Sequence, residues 1–378
     1  MANVLINGIS ARAGGGRAIL SNLLCVIQAD RDCEHQFWAV VSDWEEYSSI
    51  DCPHLHIIRV PHVLRKRVFL PLFYTAYASR LSRKYSIDVV FNLADLIFPT
   101  HIPQIWFFDW SYLVYPDSSV WKRMSPVDMC LRKLKVALIK RRMGRVQLTI
   151  AQTQTMASRL TEYCGVRDVV VIPSPVTLET LGSSRSVDFG LPSDSKKLLF
   201  LANVAPHKNF EILLPLARLF EQNRSNFAVV TTLDATNRKA VEIISSINAE
   251  GLGKYVINVG TVAPKDVPRL FEECDALFLP TLLESYGLPF VEAMHHAKPI
   301  FTSDFDFTRD VCGDAARYFD PLDVDSIFAC LNSAFLNREE LSMMVADGKK
   351  CLASLPSWEE TYDHYKLCIA KLAQSPSQ

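Results

Sequence analysis

The 378-residue sequence has no apolar run long enough to cross a bilayer. A crossing helix takes about 18 apolar residues, and the longest candidate, 89–108, is broken by Asp95, Pro99, His101 and Pro103. Val4-Leu5-Ile6-Asn7 begins almost at the first residue, so we expect no signal peptide. The ten cysteines contain no C-x-x-C pair and no metal-ligand spacing, which predicts free thiols in a reducing, cytoplasmic setting and no metal site. Nor is there a stacking or base-reading motif, so no nucleic-acid partner is expected.

What is present suits a globular protein: 49% hydrophobic and 21% charged residues, on a chain longer than one core usually holds. Two domains follow. The net charge of −1 conceals an asymmetry. Residues 1–185 carry 22 basic and 15 acidic side chains, and the remainder 18 and 26. An anionic partner should therefore meet the first half.

Along the chain, short apolar runs alternate with helical stretches. Val4–Asn7 predicts a strand, followed by a loop ending Gly14-Gly15-Gly16 and a helix over 17–28. The triple glycine is not G-x-G-x-x-G, but it leaves loop amides open to a diphosphate or a sugar, and Gly15 and Gly16 are the candidates. Strands are predicted over 37–41, 88–92 and 102–108, with a helix over 68–83. Residues 121–145 hold nine Lys and Arg against the single acid Asp128, interleaved with Leu131, Leu134, Leu138 and Ile139. That pattern predicts one or two basic amphipathic helices suited to an anionic membrane surface, with Lys140, Arg141 and Arg142 as its contacts; a plain solvated helix is the alternative. A Ser-, Gly- and Pro-rich stretch over 177–195 places the boundary between domains 1–180 and 181–356.

The second domain opens on an apolar strand over 197–201. Asn203 and Lys208 lie in the loop that follows, at the mouth of a helix. Residues 275–299 hold the densest signal. Ala276–Leu279 predicts a buried strand, and Pro289 suits the start of a helix running to about Ala297. Between them Glu284-Ser285-Tyr286-Gly287-Leu288 forms a tight loop, whose amides at a helix N-terminus invite an anion. Glu292 is expected in the first helical turn, so two carboxylates flank a phosphate-friendly pocket. The plain alternative is that both acids only favour the helix dipole. Three D-x-D triplets, Asp30/Asp32, Asp304/Asp306 and Asp323/Asp325, are read as structural.

Glu284 and Glu292, seven residues apart within Pro-Thr-Leu-Leu-Glu-Ser-Tyr-Gly-Leu-Pro-Phe-Val-Glu-Ala-Met, resemble the E-x7-E signature of retaining family 4 glycosyltransferases of the bacterial polysaccharide type. The resemblance implies an α/β GT-B fold, two Rossmann-like domains facing a central cleft, with the last helix, 357–378, returning to the first. It also implies transfer of a sugar from a nucleoside diphosphate donor to a glycan acceptor, lipid-linked in many relatives, with retention and without a metal. Lys208 would then neutralise the leaving diphosphate, helped by amides near Ser285, Tyr286, Gly287 and Leu288. Glu292 would take the ribose hydroxyls and Glu284 the donor sugar. Two features depart from the pattern. Phe108 stands where the family often has a histidine, leaving Asp109 as the catalytic candidate of the first domain, and no arginine lies between Lys197 and Ala217. A nucleotide-sugar epimerase, a sugar phosphorylase and a non-catalytic nucleotide-sugar binder share such a fold and stand as alternatives.

Overall fold

The computed structural model describes residues 1–12, 14–42, 44–65, 73–178 and 187–374. Its chain divides into two units. Met1–Pro116, Ser125–Pro175 and Pro356–Gln378 form the first; Asp117–Met124 and Val176–Leu355 form the second. The expected boundary at 180/181 lies outside the described residues, as does the start of the helix expected over 68–83.

The first unit is built on seven parallel strands: β1 (Asn3–Gly8), β2 (Gln36–Val41), β3 (Leu55–Arg59), β4 (Val89–Asn92), β5 (Gln104–Phe107), β6 (Leu148–Ala151) and β7 (Val169–Val171). They lie in the order β3-β2-β1-β4-β5-β6-β7. Helices cover both faces of such a sheet, so its central strands are buried on both faces. Val-Val-Phe-Asn of β4 and Gln-Ile-Trp-Phe of β5 are buried at every position. The edge strand β3 went unread because its Leu-His-Ile-Ile-Arg is half exposed and lacks a continuous apolar run. Helix α1 (Gly14–Ala29) follows β1. Its first turn is the glycine run itself, one turn earlier than the sequence predicts.

Two further helices of this unit matter below. Ser125 caps α2 (Pro126–Arg142), its hydroxyl accepting from the Asp128 amide at 3.1 Å. α4 (Trp358–Ala373), which follows α3 (Leu288–His295) of the second unit, opens on a capping box: Ser357 and Glu360 each accept the other's backbone N–H, at 3.1 and 2.7 Å. It lies on β4 and β5 and seats Tyr365 5.1 Å from the Phe91 ring. Phe91 is fully buried, and burial of one such side chain contributes roughly 1.5–3 kcal/mol.

The second unit has six parallel strands: β8 (Lys196–Phe200), β9 (Phe227–Thr231), β10 (Val256–Asn258), β11 (Ala276–Leu279), β12 (Ile300–Ser303) and β13 (Ala316–Phe319). Their order is β10-β9-β8-β11-β12-β13. After β12 a helix, Asp306–Cys312, leads through a 3-10 turn into β13. The core gathers on β8, where Phe200 stacks on Phe210 with ring centroids 4.2 Å apart. In both sheets the winding reverses beside the first strand, between β1 and β4 and between β8 and β11. Open α/β sheets bind ligands outside the carboxyl ends of the strands at such a reversal.

Among the described residues, no helix is long and apolar enough to cross a membrane.

Candidate functional site

At the reversal of the second unit, β8 and β11 are clamped at their starts. Asp275 accepts the Lys197 N–H at 2.8 Å, and the Asp275 N–H donates to the Lys197 carbonyl at 2.8 Å. Both strands therefore end level, and the loops leaving them meet. The Leu282 N–H donates to the His207 carbonyl at 2.7 Å, and the Thr281 hydroxyl lies 3.1 Å from that carbonyl. The loop after β8 turns through a 3-10 segment, Pro206–Lys208, and then through Asn209 at φ +59°. Asparagine tolerates that left-handed conformation better than most residues.

This brings Lys208 onto Glu284. The Lys208 ammonium donates to Glu284 Oε1, and Thr281 Oγ1 lies 2.9 Å from the same oxygen. Glu284 is only 9% exposed. Burial pushes its carboxyl up, but Lys208, His207 and the hydrogen bonds from Lys208 and Thr281 outweigh that and hold it below the ordinary carboxylate range. The ammonium has three N–H donors, so pairing with Glu284 leaves it donors for a phosphate oxygen.

Gly287 follows at φ +88°, and a Cβ there would meet the Phe290 ring at 2.6 Å. Only glycine fits. It is the cap of α3 (Leu288–His295) and offers no side-chain acceptor to the helix N-terminus. Tyr286 and Leu288 turn their side chains inward, and burial pushes the Tyr286 hydroxyl well up. Ser285 and Gly287 are half-buried, and Asn203 is exposed in the loop after β8.

Glu292 is the fifth residue of α3, beyond the first turn where the sequence reading expects it, and the helix ends two residues sooner than predicted. It is also 9% exposed, with Thr177 Oγ1 3.3 Å from its Oε1. The helix dipole fades within the first turn, so it does not account for a carboxylate buried at this depth. Lys208 and Glu284 thus meet across the two loops, and Glu292 follows in the helix that the second loop enters.

Asp109, Gly15 and Gly16 belong to the first unit. Phe108 is fully buried, edge-on to Trp106 at 5.3 Å, so it is core and no stand-in for a site side chain. Asp109 follows at the carboxyl end of β5, its Oδ2 3.5 Å from where a Cβ on Gly16 would lie. Gly15 is exposed. Burial, then the neighbouring Asp95, pushes the Asp109 carboxyl up to about 8, with Lys135 pulling the other way. Lys135 is ion-paired with Asp95 and stands 3.8 Å from the Trp110 ring centre.

Helix α2 corrects the basic-surface expectation in part. Val127, Leu131, Leu134 and Leu138, spaced to share one face, are 36–68% exposed, while Ile139 is buried. Lys140 and Arg141 are exposed, but Arg142 turns back and donates to the Ile97 carbonyl at 3.0 Å. Arg132 lies over the Tyr112 ring at 4.4 Å, so several cations of this stretch serve their own unit.

The sequence reading missed Thr177, Asn209, Thr281, Asp95 and Lys135. Thr281 alone carried a local signal, standing three residues before Glu284. Also unforeseen is Arg123, in the second-unit segment 117–124, whose Nη1 donates to Asn209 Oδ1 at 2.8 Å.

Comparison with known proteins bears on the same unit. Residues 183–351 match the family model of glycosyl transferases group 1. The O-antigen chain mannosyltransferase B of Escherichia coli is 27% identical over 176 residues, 45% of this chain and 45% of that one. The chain thus spans less than half the length of this curated relative. Among solved structures, sucrose-phosphate synthase of Thermosynechococcus elongatus superposes with a TM-score of 0.77 at 16% identity, over 98% of this chain and 99% of that one. HepE of Anabaena, in complex with UDP-glucose, gives 0.73 at 15% identity over 98% and 100%. The fold is that of GT-B glycosyltransferases: α/β, with two Rossmann-like domains.

Proposed function

We propose that the protein is a family 4 glycosyltransferase that moves a hexose, with retention, from a nucleoside diphosphate to a glycan acceptor in cell-surface polysaccharide synthesis. One observation carries the reading: Lys208 and Glu284, on loops leaving adjacent strands at the reversal of the second sheet, form a buried ion pair beside the uncapped start of α3. In transfer, the bond between the anomeric carbon and the diphosphate oxygen breaks, and the acceptor oxygen bonds that carbon. The acceptor proton leaves with the diphosphate. Charge grows on the leaving group, and preorganised donors are worth most there. Lys208 and the amides of residues 286–288 supply them, and Lys208 does so without a metal. Glu284 holds the sugar hydroxyls and faces the positive charge growing at the anomeric carbon. Glu292 holds the ribose.

The mannosyltransferase relative and the UDP-glucose complex of HepE support a nucleotide-sugar donor. The exposed apolar and basic face of α2 supports a lipid-linked acceptor met at the cytoplasmic face of a membrane, the protein being peripheral there.

The test is thermal melting with UDP, GDP and ADP in parallel, with and without EDTA. A ligand that binds only the folded state raises the melting temperature. One nucleotide should raise it, in EDTA as well, and the matching nucleotide-sugar should be consumed. If none of the three shifts the melt, the donor-site reading fails. Binding without consumption would make the protein a non-catalytic binder instead.

A further inference from the structure

The charge at the donor loops does not balance once a diphosphate binds. Lys208 brings one positive charge, and the buried Glu284 answers it with one negative. A nucleoside diphosphate adds at least two more. Buried like charges repel strongly because little water screens them, so a second cation is needed for the ligand to bind.

The chain supplies one from outside the segment that matches the family model. Residues 117–124 pack with the second unit, anchored by the buried side chains of Val120, Trp121 and Met124. Their 3-10 turn, Ser119–Arg123, lies against the Pro206–Lys208 turn. Asn209, itself buried, receives Arg123 on its Oδ1 and donates from Nδ2 to the Pro321 carbonyl at 2.8 Å. The guanidinium is therefore fixed to the residue next to Lys208. It is exposed, and among the described residues no carboxylate pairs with it. One N–H is used and four remain, in a planar fork that matches phosphate oxygens two at a time.

We infer that Arg123 is the second cation of the donor site and contacts the diphosphate beside Lys208. The inference rests on the reading that a nucleoside diphosphate binds there. Arg123→Gln removes the charge, and the paired nucleoside titrations separate loss of charge from loss of scaffolding. The probes are UDP, GDP and ADP, each with its matching nucleoside, titrated calorimetrically against the parent and the variant. For the diphosphate the parent binds best, Arg123→Gln should weaken affinity roughly ten- to a hundred-fold, the loss of one charge-assisted contact. Affinity for the matching nucleoside should not move, and Arg123→Lys should recover part of the loss. Unchanged diphosphate binding in Arg123→Gln would overturn the inference and leave the donor site standing. Equal losses for diphosphate and nucleoside would make Arg123 a scaffold residue only. A parent that binds none of the three diphosphates would overturn the donor-site reading, and this inference with it.

Discussion

Lys208 donates to a carboxylate oxygen of Glu284, 76 residues further along the chain, with both side chains mostly buried. Breaking such a pair from one side leaves an uncompensated charge in a poor solvent for it, a loss of about 3 kcal/mol or more. Lys208→Ala should therefore lower stability in urea melts by about that much. Lys208→Ala combined with Glu284→Gln should regain most of it, because no lone charge remains. Donor binding follows a different order and should be weak in both, since the ammonium is gone from each. If the double variant recovers donor affinity along with stability, Lys208 is a structural partner only.

The two acids separate by position. Glu292 lies in the second turn of α3 beside Thr177, and Glu284 beside Lys208. Glu292→Gln should raise the donor KM, by about tenfold for one lost charged hydrogen bond, with kcat little changed. Glu284→Gln should act mainly on kcat, by roughly a hundredfold, because in the proposed transfer it removes the charge that faces the reacting carbon. Steady-state kinetics with the donor varied decide the matter. Parallel changes in KM alone would remove Glu284 from the chemical step.

Asp109 ties stability to pH. Its carboxyl is pushed up to about 8 by burial and by Asp95, far above an unfolded Asp near 4. Between those values the folded protein holds a proton that the unfolded chain has released. Stability from this group is thus fully present at about pH 4 and declines as pH rises to about 8. Asp109→Asn cannot lose a proton. Relative to the parent, its melting temperature should climb steadily from about pH 4 to pH 8 and level off above. A constant difference between the two across that window would mean Asp109 is ionised throughout.

Local chemistry made much of this legible. Ala276–Leu279 and the run that became β8 are continuous apolar stretches, which only a strand buried on both faces explains well. Gly287 announces a turn that no side chain fits, and Pro289 the helix beyond it. Where the sequence misled, a tertiary contact had decided. Phe108 could have faced a site, but the core took it against Trp106. Arg142 looked like a surface cation until the Ile97 carbonyl came within its reach. Arg123 and Asn209 are 86 residues apart, and nothing local to either marks the pairing. Patterns of burial can be read from spacing; side-chain partners across loops cannot.

Helix α2 gives the last prediction. Val127, Leu131, Leu134 and Leu138 form an exposed apolar stripe, and Lys133, Lys140 and Arg141 are exposed on the same helix. Water alone gives no reason to keep four large apolar side chains in one row. A bilayer headgroup region does, since such a helix lies in the interface with its apolar side down. Each cation near an anionic surface contributes about 1 kcal/mol, and the attraction fades within a Debye length of roughly 10 Å. The protein should therefore sediment with vesicles containing anionic lipid, less so at high salt, and poorly with neutral vesicles. Changing Lys133, Lys140 and Arg141 to Gln should release it with no loss of melting temperature, because none of the three supports the fold. Arg142 is left in place, since its bond to Ile97 would confound the result. Leu131→Ser with Leu134→Ser should weaken binding at high salt as well, where the apolar contribution remains. Binding indifferent to lipid charge, salt and all five substitutions would leave α2 a solvated helix and the acceptor a soluble glycan.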